Sequence, residues 1–270
     1  MKPNLRIVKL ADIVPLMEYE SAKVDYLISS FEQTGTIRNP FALASVSKSR
    51  YLMLENSSPL EAARRIKIEH IPAQVIPFKK ALKFTADLAA SDVLLADLKR
   101  FSDMFPRSFY AAEKTCEDKN DRRWTVVRIS KKNVTELDIC FPRNSSGRIS
   151  PELFTFLRFL GKRWSYSGAV QPARIKAVNV KAQTDRWLMR VINLEADDLL
   201  YAADRGFLFP RGLLKFNYGH RLIGIDYPID ILKEPVPLNH KEQFLHDLVN
   251  MRLNSGFYDY IKSGVYLLNY

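Results

Sequence analysis

The sequence predicts an α+β protein, on three observations. Over residues 1–77, short apolar runs alternate with two helix-patterned segments; from residue 78 a long stretch has few helix breakers; after residue 149, strand and helix patterns return together. The expected organisation is an N-terminal α+β domain at 1–77, a mostly helical middle region with short strands at 78–148, and a C-terminal mixed α/β domain at 149–270. With 270 residues, 47% of them hydrophobic, the chain can bury one large core or two to three smaller ones, and disorder is not expected.

The elements follow in order. LRIVKLADIVPL mixes apolar and polar positions as a short strand and its exit do. In SAKVDYLISSFEQTG, Val24, Leu27, Ile28 and Phe31 recur at i, i+3, i+4 and i+7, with Ser21 as the expected N-cap and Gly35 where a helix stops. FALASV and YLML read as partner strands around the turn KSR. The elbow Glu55-Asn56-Ser57-Ser58 then enters a helix, with Ser58 as N-cap, Pro59 at the first helical position and Glu61 three residues after the cap. HIPAQVIP closes this unit as a strand limited by Pro72 and Pro77.

One or two helices are expected between Phe78 and Phe105, ending before Pro106. CEDKNDRRW reads as a polar loop, WTVVRIS and ELDICF as strands, and PRNSSGRI as a connector. Ser150-Pro151-Glu152 opens a helix over PELFTFLRFLGKRW. WLMRVINL reads as a strand and EADDLLYAADRG as a helix ending at Gly206. GLLKFNYGHRLIGIDYP has the pattern of a hairpin around Tyr218-Gly219, and NHKEQFLHDLVNMRLNSG that of a helix stopped by Gly256.

The net charge of +11 raises nucleic-acid binding as a function class. Residues 1–77 hold ten Lys and Arg against eight Asp and Glu, so most of the excess lies further on, where Arg122-Arg123, Lys131-Lys132, Lys162-Arg163, Arg174 and Lys176 are scattered. A solvated basic surface or a small-anion site fits this better than a surface that tracks duplex phosphates. DNA binding would require those charges to converge on one face. No run of about eighteen apolar residues occurs, and the first residues lack a signal peptide's apolar core, so a cytoplasmic protein without a membrane partner is expected. Cys116 and Cys140 lie far apart with no CxxC and no His at metal spacing around them, which predicts buried or idle thiols rather than a disulfide framework or zinc site.

No GxSxG, P-loop or GxGxxG is present, and His70, His220, His240 and His246 lack metal spacing, so surface or structural roles are expected for them. Carboxylates remain. Glu18 and Glu20 fall in the loop before the first helix, and Glu55 ends the strand before the elbow. A carboxylate facing the phosphate end of a nucleotide can act as general base on a hydroxyl or hold magnesium. The helix start after the elbow offers N–H groups to phosphate, with side-chain donors from Asn56, Ser57 and Ser58. The simpler reading is that Ser58 caps its helix, which accounts for Ser58, Pro59 and Glu61 but not for the preceding carboxylate. Lys215, His220 and Arg221 read as an ordinary solvated hairpin tip, though one within reach of a ligand.

The segments LRIVKLADIVPLMEYE, SSFEQTGTIRNPFALA and RYLMLENSSPLEAARRIKIEHIPAQVI, in this order, resemble the ParB/sulfiredoxin-type domain. ISPELFTFLRFLGKRWSYSGA and RGLLKFNYGHRLIGIDYPIDIL extend the resemblance, over most of the chain, to the free L-serine kinase family of the staphyloferrin B siderophore pathway. That resemblance implies phosphorylation of L-serine to O-phospho-L-serine by ATP or ADP with Mg2+, as a step toward 2,3-diaminopropionate, and for a regulatory member of the family it also implies heme response. It places the catalytic glutamate on Glu18, or on Glu20 with a small gap, with Met17 standing where the family has His. In the family's Asp-Gly-x-His-Arg motif the Asp falls on Glu55, implied to manage metal or substrate, the Gly on Asn56, the His on Ser58 and the Arg on Pro59. Proline cannot replace a bidentate phosphate contact, and only Arg64 or Arg65 stands nearby on the helix. The resemblance therefore implies either a working phosphate pocket or a regulatory or interaction protein on the same scaffold, with DNA or a pathway protein as partner.

Overall fold

The structure, a computed structural model, describes residues 4–78, 83–90, 110–112, 123–131, 134–164, 187–217, 220–256, 258–261 and 265–268. By its contacts the chain forms two units, Met1–Lys83 with Phe216–Tyr270, and Phe84–Lys215. The fold is α+β, as expected.

In the first unit, β1 (Leu5–Lys9) passes through a 3-10 turn into β2 (Ile13–Pro15), and α1 (Ser21–Thr34) follows. Next come β3 (Thr36–Ile37), β4 (Phe41–Ser47), β5 (Arg50–Met53), α2 (Ser58–Arg65) and β6 (His70–Pro77). The sheet order β1-β6-β4-β5-β2 is mixed: β1 and β6 are antiparallel, as are β4 and β5, while β4 runs parallel to β6 and β2 to β5. The helical spacing in α1 buries Val24 and Phe31 and half-buries Leu27 and Ile28. Gly35 closes the helix at φ 63°, its N–H donating to the Phe31 carbonyl at 2.9 Å, a backbone state glycine adopts without steric cost. Ser21 is the first helical residue rather than the cap; Glu20, extended at φ −113°, stands in the cap position.

The second unit holds β7 (Lys83–Ala90), β8 (Tyr110–Ala112), β9 (Trp124–Lys131), β10 (Val134–Pro142), α3 (Pro151–Trp164), β11 (Trp187–Ile192), α4 (Ala196–Asp204) and β12 (Leu214–Asn217). Six strands line up as β12-β7-β11-β9-β10-β8. β7 occupies residues where a helix was expected. Its pairing to β11, Asp87 opposite Arg190 with an ion pair at 2.8 Å, outweighs the helix propensity of its Ala, Leu and Lys residues. The parts of that helical expectation at residues 79–82 and 91–105 lie outside the described residues. Apolar α3 side chains Leu153, Phe156, Leu157 and Leu160 are fully buried, with Phe156 tilted against Phe141 of β10 at 5.3 Å. Cys140, expected as a buried or idle thiol, is buried but disulfide-bonded rather than a thiol; Cys116 lies outside the described residues.

The chain then completes the first unit with β13 (Arg221–Ile223), β14 (Tyr227–Pro228), α5 (Ile229–Lys233), α6 (Leu238–Asn254), β15 (Tyr258–Ile261) and β16 (Val265–Leu268). The expected hairpin does not form. β12 joins the six-stranded sheet, whereas β13 pairs parallel with β16, and the tip Tyr218-Gly219 lies outside the described residues. β14 pairs with β3, and the Ile225 N–H donates to the Arg38 carbonyl at 2.7 Å. Leu222, Ile225, Tyr227, Leu232, Leu245 and Val249 thereby enter the same core as Ile7, Val24, Leu43 and Leu60.

Candidate functional site

The site is built where β5 ends and α2 begins. Hydrophobic Tyr51, Leu52, Met53 and Leu54 are buried in the sheet, so the chain surfaces at Glu55 and Asn56, both half-buried. Ser57, not Ser58, occupies the α2 cap position, with no side-chain cap bond. The two hydroxyls reach across to the acidic loop instead. Ser57 Oγ donates to the Met17 carbonyl at 2.5 Å, and the Glu20 N–H donates to Ser58 Oγ at 3.0 Å. Ser57 and Ser58 are both buried, which makes these bonds firm anchors for residues 17–20. Sequence neighbours alone gave Ser58 a capping role; its partner, 38 positions away, is supplied by the fold.

The structure thus brings Glu18, Glu20, Glu55, Asn56, Ser57 and Ser58 to one place. Glu18 and Glu20 are half-buried around the exposed Tyr19, and Met17 is buried. The phosphate cradle is narrower than the sequence suggested. Asn56 Oδ1 accepts the Ser58 N–H at 3.2 Å and Pro59 has no N–H, so two first-turn donors are withdrawn. By valence, the Asn56 amide nitrogen and the Ser58 hydroxyl proton remain to serve an anion. Arg64 is exposed in the last turn of α2, about 9 Å along the axis from Ser58, and no hydrogen bond links it to the elbow. Arg65 pairs with Glu61 at 3.0 Å and with Asp25 at 3.4 Å; chiefly the Glu61 hydrogen bond raises its pKa.

A residue from far along the chain completes the elbow. Arg221 of β13 donates to Glu55 Oε1 at 2.5 Å and, through the same nitrogen, to the Pro40 carbonyl at 2.7 Å. Gln74 of β6 positions this strand, with its amide donating to the His220 carbonyl at 2.5 Å and its carbonyl accepting the Leu222 N–H at 3.0 Å. Sequence reasoning placed Arg221 at a hairpin tip; no local signal could link residues 166 positions apart. Lys215 is exposed on β12, outside the bonded network of the elbow. His70 is half-buried, with Nδ1 buried and lacking a hydrogen-bond partner, while His240 and His246 are exposed on α6.

Magnesium at nucleotide sites is held by one or two carboxylates together with substrate phosphates. Among the described residues no three His, Cys, Asp or Glu side chains gather as a metal site, and Glu55, the expected ligand, is engaged by Arg221. These side chains do not fit a resident ion. Heme finds no thiolate ligand at Cys140, which is disulfide-bonded. Among the described residues, no helix is long and apolar enough to cross a membrane.

No family model and no curated protein matches the chain. Solved structures do. SbnI with a C-terminal truncation, from Staphylococcus aureus, superposes with a TM-score of 0.66 at 16% identity, covering 90% of this chain and 96% of that one. A free serine kinase in complex with AMP gives 0.59 at 14% identity, covering 86% and 95% of the two chains. A conserved hypothetical protein from Pyrococcus furiosus gives 0.57 at 14% identity, covering 86% and 98%. The chain therefore has the fold shared by SbnI and the free serine kinase, over 86–90% of its length.

Proposed function

We propose that the protein is a nucleotide-dependent kinase of free L-serine, forming O-phospho-L-serine for siderophore or 2,3-diaminopropionate biosynthesis. The observation that carries this reading is the pair of hydrogen bonds that hold the Glu18–Glu20 loop against the elbow, beside a carboxylate–guanidinium pair. Bound nucleotide in the free serine kinase supports it by likeness of fold. In this reading ATP or ADP enters with magnesium as one substrate. The Asn56 amide and Ser58 hydroxyl donate to its phosphates, and Arg221 brings the cation that Pro59 cannot. Glu18 takes the proton from the serine hydroxyl as the new O–P bond forms and the bridging P–O bond of the nucleotide breaks. Glu20 acts through its backbone, setting the height of the loop, and Glu55 orients Arg221. Ser57 holds the loop and Arg64 takes no part.

A second reading has its own observation in favour. Asn56, Ser57 and Glu55 all spend bonding capacity inside the protein, as expected of a regulator or interaction protein that kept the scaffold. Calorimetric titration with ATP and with ADP, in magnesium and L-serine, followed by a phosphoserine assay, separates the two. Binding with turnover that vanishes in Glu18→Ala is the expected result. Binding without phosphoserine gives the regulatory reading, and no heat with either nucleotide overturns the kinase. DNA binding would show instead as an affinity that falls steeply with salt.

A further inference from the structure

At the elbow, Arg221 is held by two acceptors, and only one of them can leave. Nη2 of Arg221 carries two N–H groups, and both are taken: one by the Pro40 carbonyl at 2.7 Å, the other by Glu55 Oε1 at 2.5 Å. An incoming anion therefore reaches this nitrogen only by displacing one of the two.

The Pro40 carbonyl is backbone in a fastened loop. Just before it, the Arg38 carbonyl accepts the Ile225 N–H at 2.7 Å and the Asp226 N–H at 3.2 Å, and Asn39 Oδ1 accepts the Gly224 N–H at 2.9 Å. Chain so tied does not turn away by itself. Arg221 is fixed as well: its side chain is 12% exposed, and the buried Gln74 amide grips the residues on either side of it, donating to the His220 carbonyl and accepting the Leu222 N–H. Glu55 differs from both. It is a side chain with rotatable bonds, set in the bend between β5 and α2 and 28% exposed, so its carboxylate can swing out and be taken up by water. What it gives up is also what a phosphate would take, because a guanidinium accepts carboxylate and phosphate oxygens in the same planar geometry. In the empty protein Glu55 thus occupies the place of a ligand anion.

We propose, resting on the reading of the elbow as a phosphate site, that Glu55 is an autoinhibitory latch: its carboxylate closes Arg221 while no ligand is present, and a phosphate group opens the site by displacing it. The apparent affinity for phosphate is then lowered by the fraction of molecules in which the latch is shut. Inorganic pyrophosphate is the probe, since it is the phosphate end of a nucleotide without base or sugar. The full-length protein is titrated by calorimetry in EDTA, so that no metal screens either charge, as parent, Glu55→Gln, Arg221→Ala and the double variant. Glu55→Gln is expected to bind pyrophosphate about tenfold more tightly than the parent, and the double variant to show no gain over Arg221→Ala. Damage to the fold loses binding, so a gain cannot come from misfolding. The latch is overturned if Glu55→Gln binds no better than the parent, or if the gain persists without Arg221, which would mark the loss of a repelling charge alone. A phosphoserine assay with ATP and magnesium on the same proteins keeps the kinase reading separate. Tighter pyrophosphate in Glu55→Gln without phosphoserine from the parent overturns the kinase and leaves the latch, whereas phosphoserine with unchanged pyrophosphate affinity overturns the latch and leaves the kinase.

Discussion

Arg221 reaches Glu55 from a strand remote in sequence and supplies a cation where Pro59 leaves none. If it grips phosphate, Arg221→Ala weakens ADP binding by about ten- to a hundredfold, the range of a charge-assisted hydrogen bond, as measured by calorimetry. Arg221→Lys recovers only part of the affinity, because a point charge cannot reproduce the guanidinium fork. A parallel thermal melt separates this from lost packing, since Arg221 also holds the Pro40 carbonyl. His70 offers a prediction about pH. Burial, aided by the charge of Lys241, lowers its pKa below the ordinary 6.5. Between that lowered value and about pH 6.5 the unfolded chain binds more protons, so this contribution to stability is full above that window and is lost as pH falls through it. Denaturant midpoints between pH 7.5 and 5 should fall less in His70→Gln than in the parent. An identical slope would show that other groups govern the acid limb.

At the scale of elements, close contact decides where ordinary propensity would mislead. Gly161 sits inside α3, where alanine is normally better by about 1 kcal/mol. A Cβ there would lie 2.6 Å from Cβ and 2.8 Å from Cγ of Pro210, whose ring cannot swing away. Gly161→Ala should therefore lower stability by about 1–3 kcal/mol in urea unfolding, the usual cost of overpacking. A stabilised variant would mean that the Pro210 segment shifts freely. Strands β9 and β10 show a second local decision. Arg128 and Asp138 lie directly opposite and pair at 2.6–2.7 Å with the carboxylate fully buried, and chiefly that hydrogen bond raises the Arg128 pKa. The pair also fixes register, because a slip of one residue would strand the buried charge.

The first unit is discontinuous, and this sets its stability as a whole. Tyr227, fully buried, bonds the Lys241 carbonyl at 3.0 Å, burial pushes its phenol pKa up, and the buried Lys241 ammonium donates to the Leu232 carbonyl at 2.6 Å. α6 packs against β1, where the Ile7 N–H donates to Glu242 at 3.3 Å. Residues 1–83 expressed alone would expose the core that these segments cover and leave Gln74 without its partners His220 and Leu222. Such a fragment should show no cooperative thermal transition, whereas addition of a 216–270 peptide should restore one. A sharp transition for the fragment alone would show that the closing segment is dispensable.

Several strands and helices could be read from the residues in order. The spacing in α1, Gly35 at its end, the β4–β5 hairpin, the strands β9 and β10 and the helix from Pro151 were legible because each rests on neighbours within a few residues. The sequence also pointed to Glu18, Glu20 and the Glu55–Ser58 elbow, since a carboxylate before a helix start leaves a trace in short-range order. Tertiary structure alone decided the rest. Residues 83–90 became a strand because β11 offered a partner, and Ser58 became an anchor for Glu20 rather than a cap because the acidic loop folds over it. Arg221 came to Glu55 because a separate stretch of chain returns to close the first unit. Hydrogen-bond partners and ion pairs are chosen by proximity in space, and local pattern carries no record of a neighbour that arrives after more than a hundred residues.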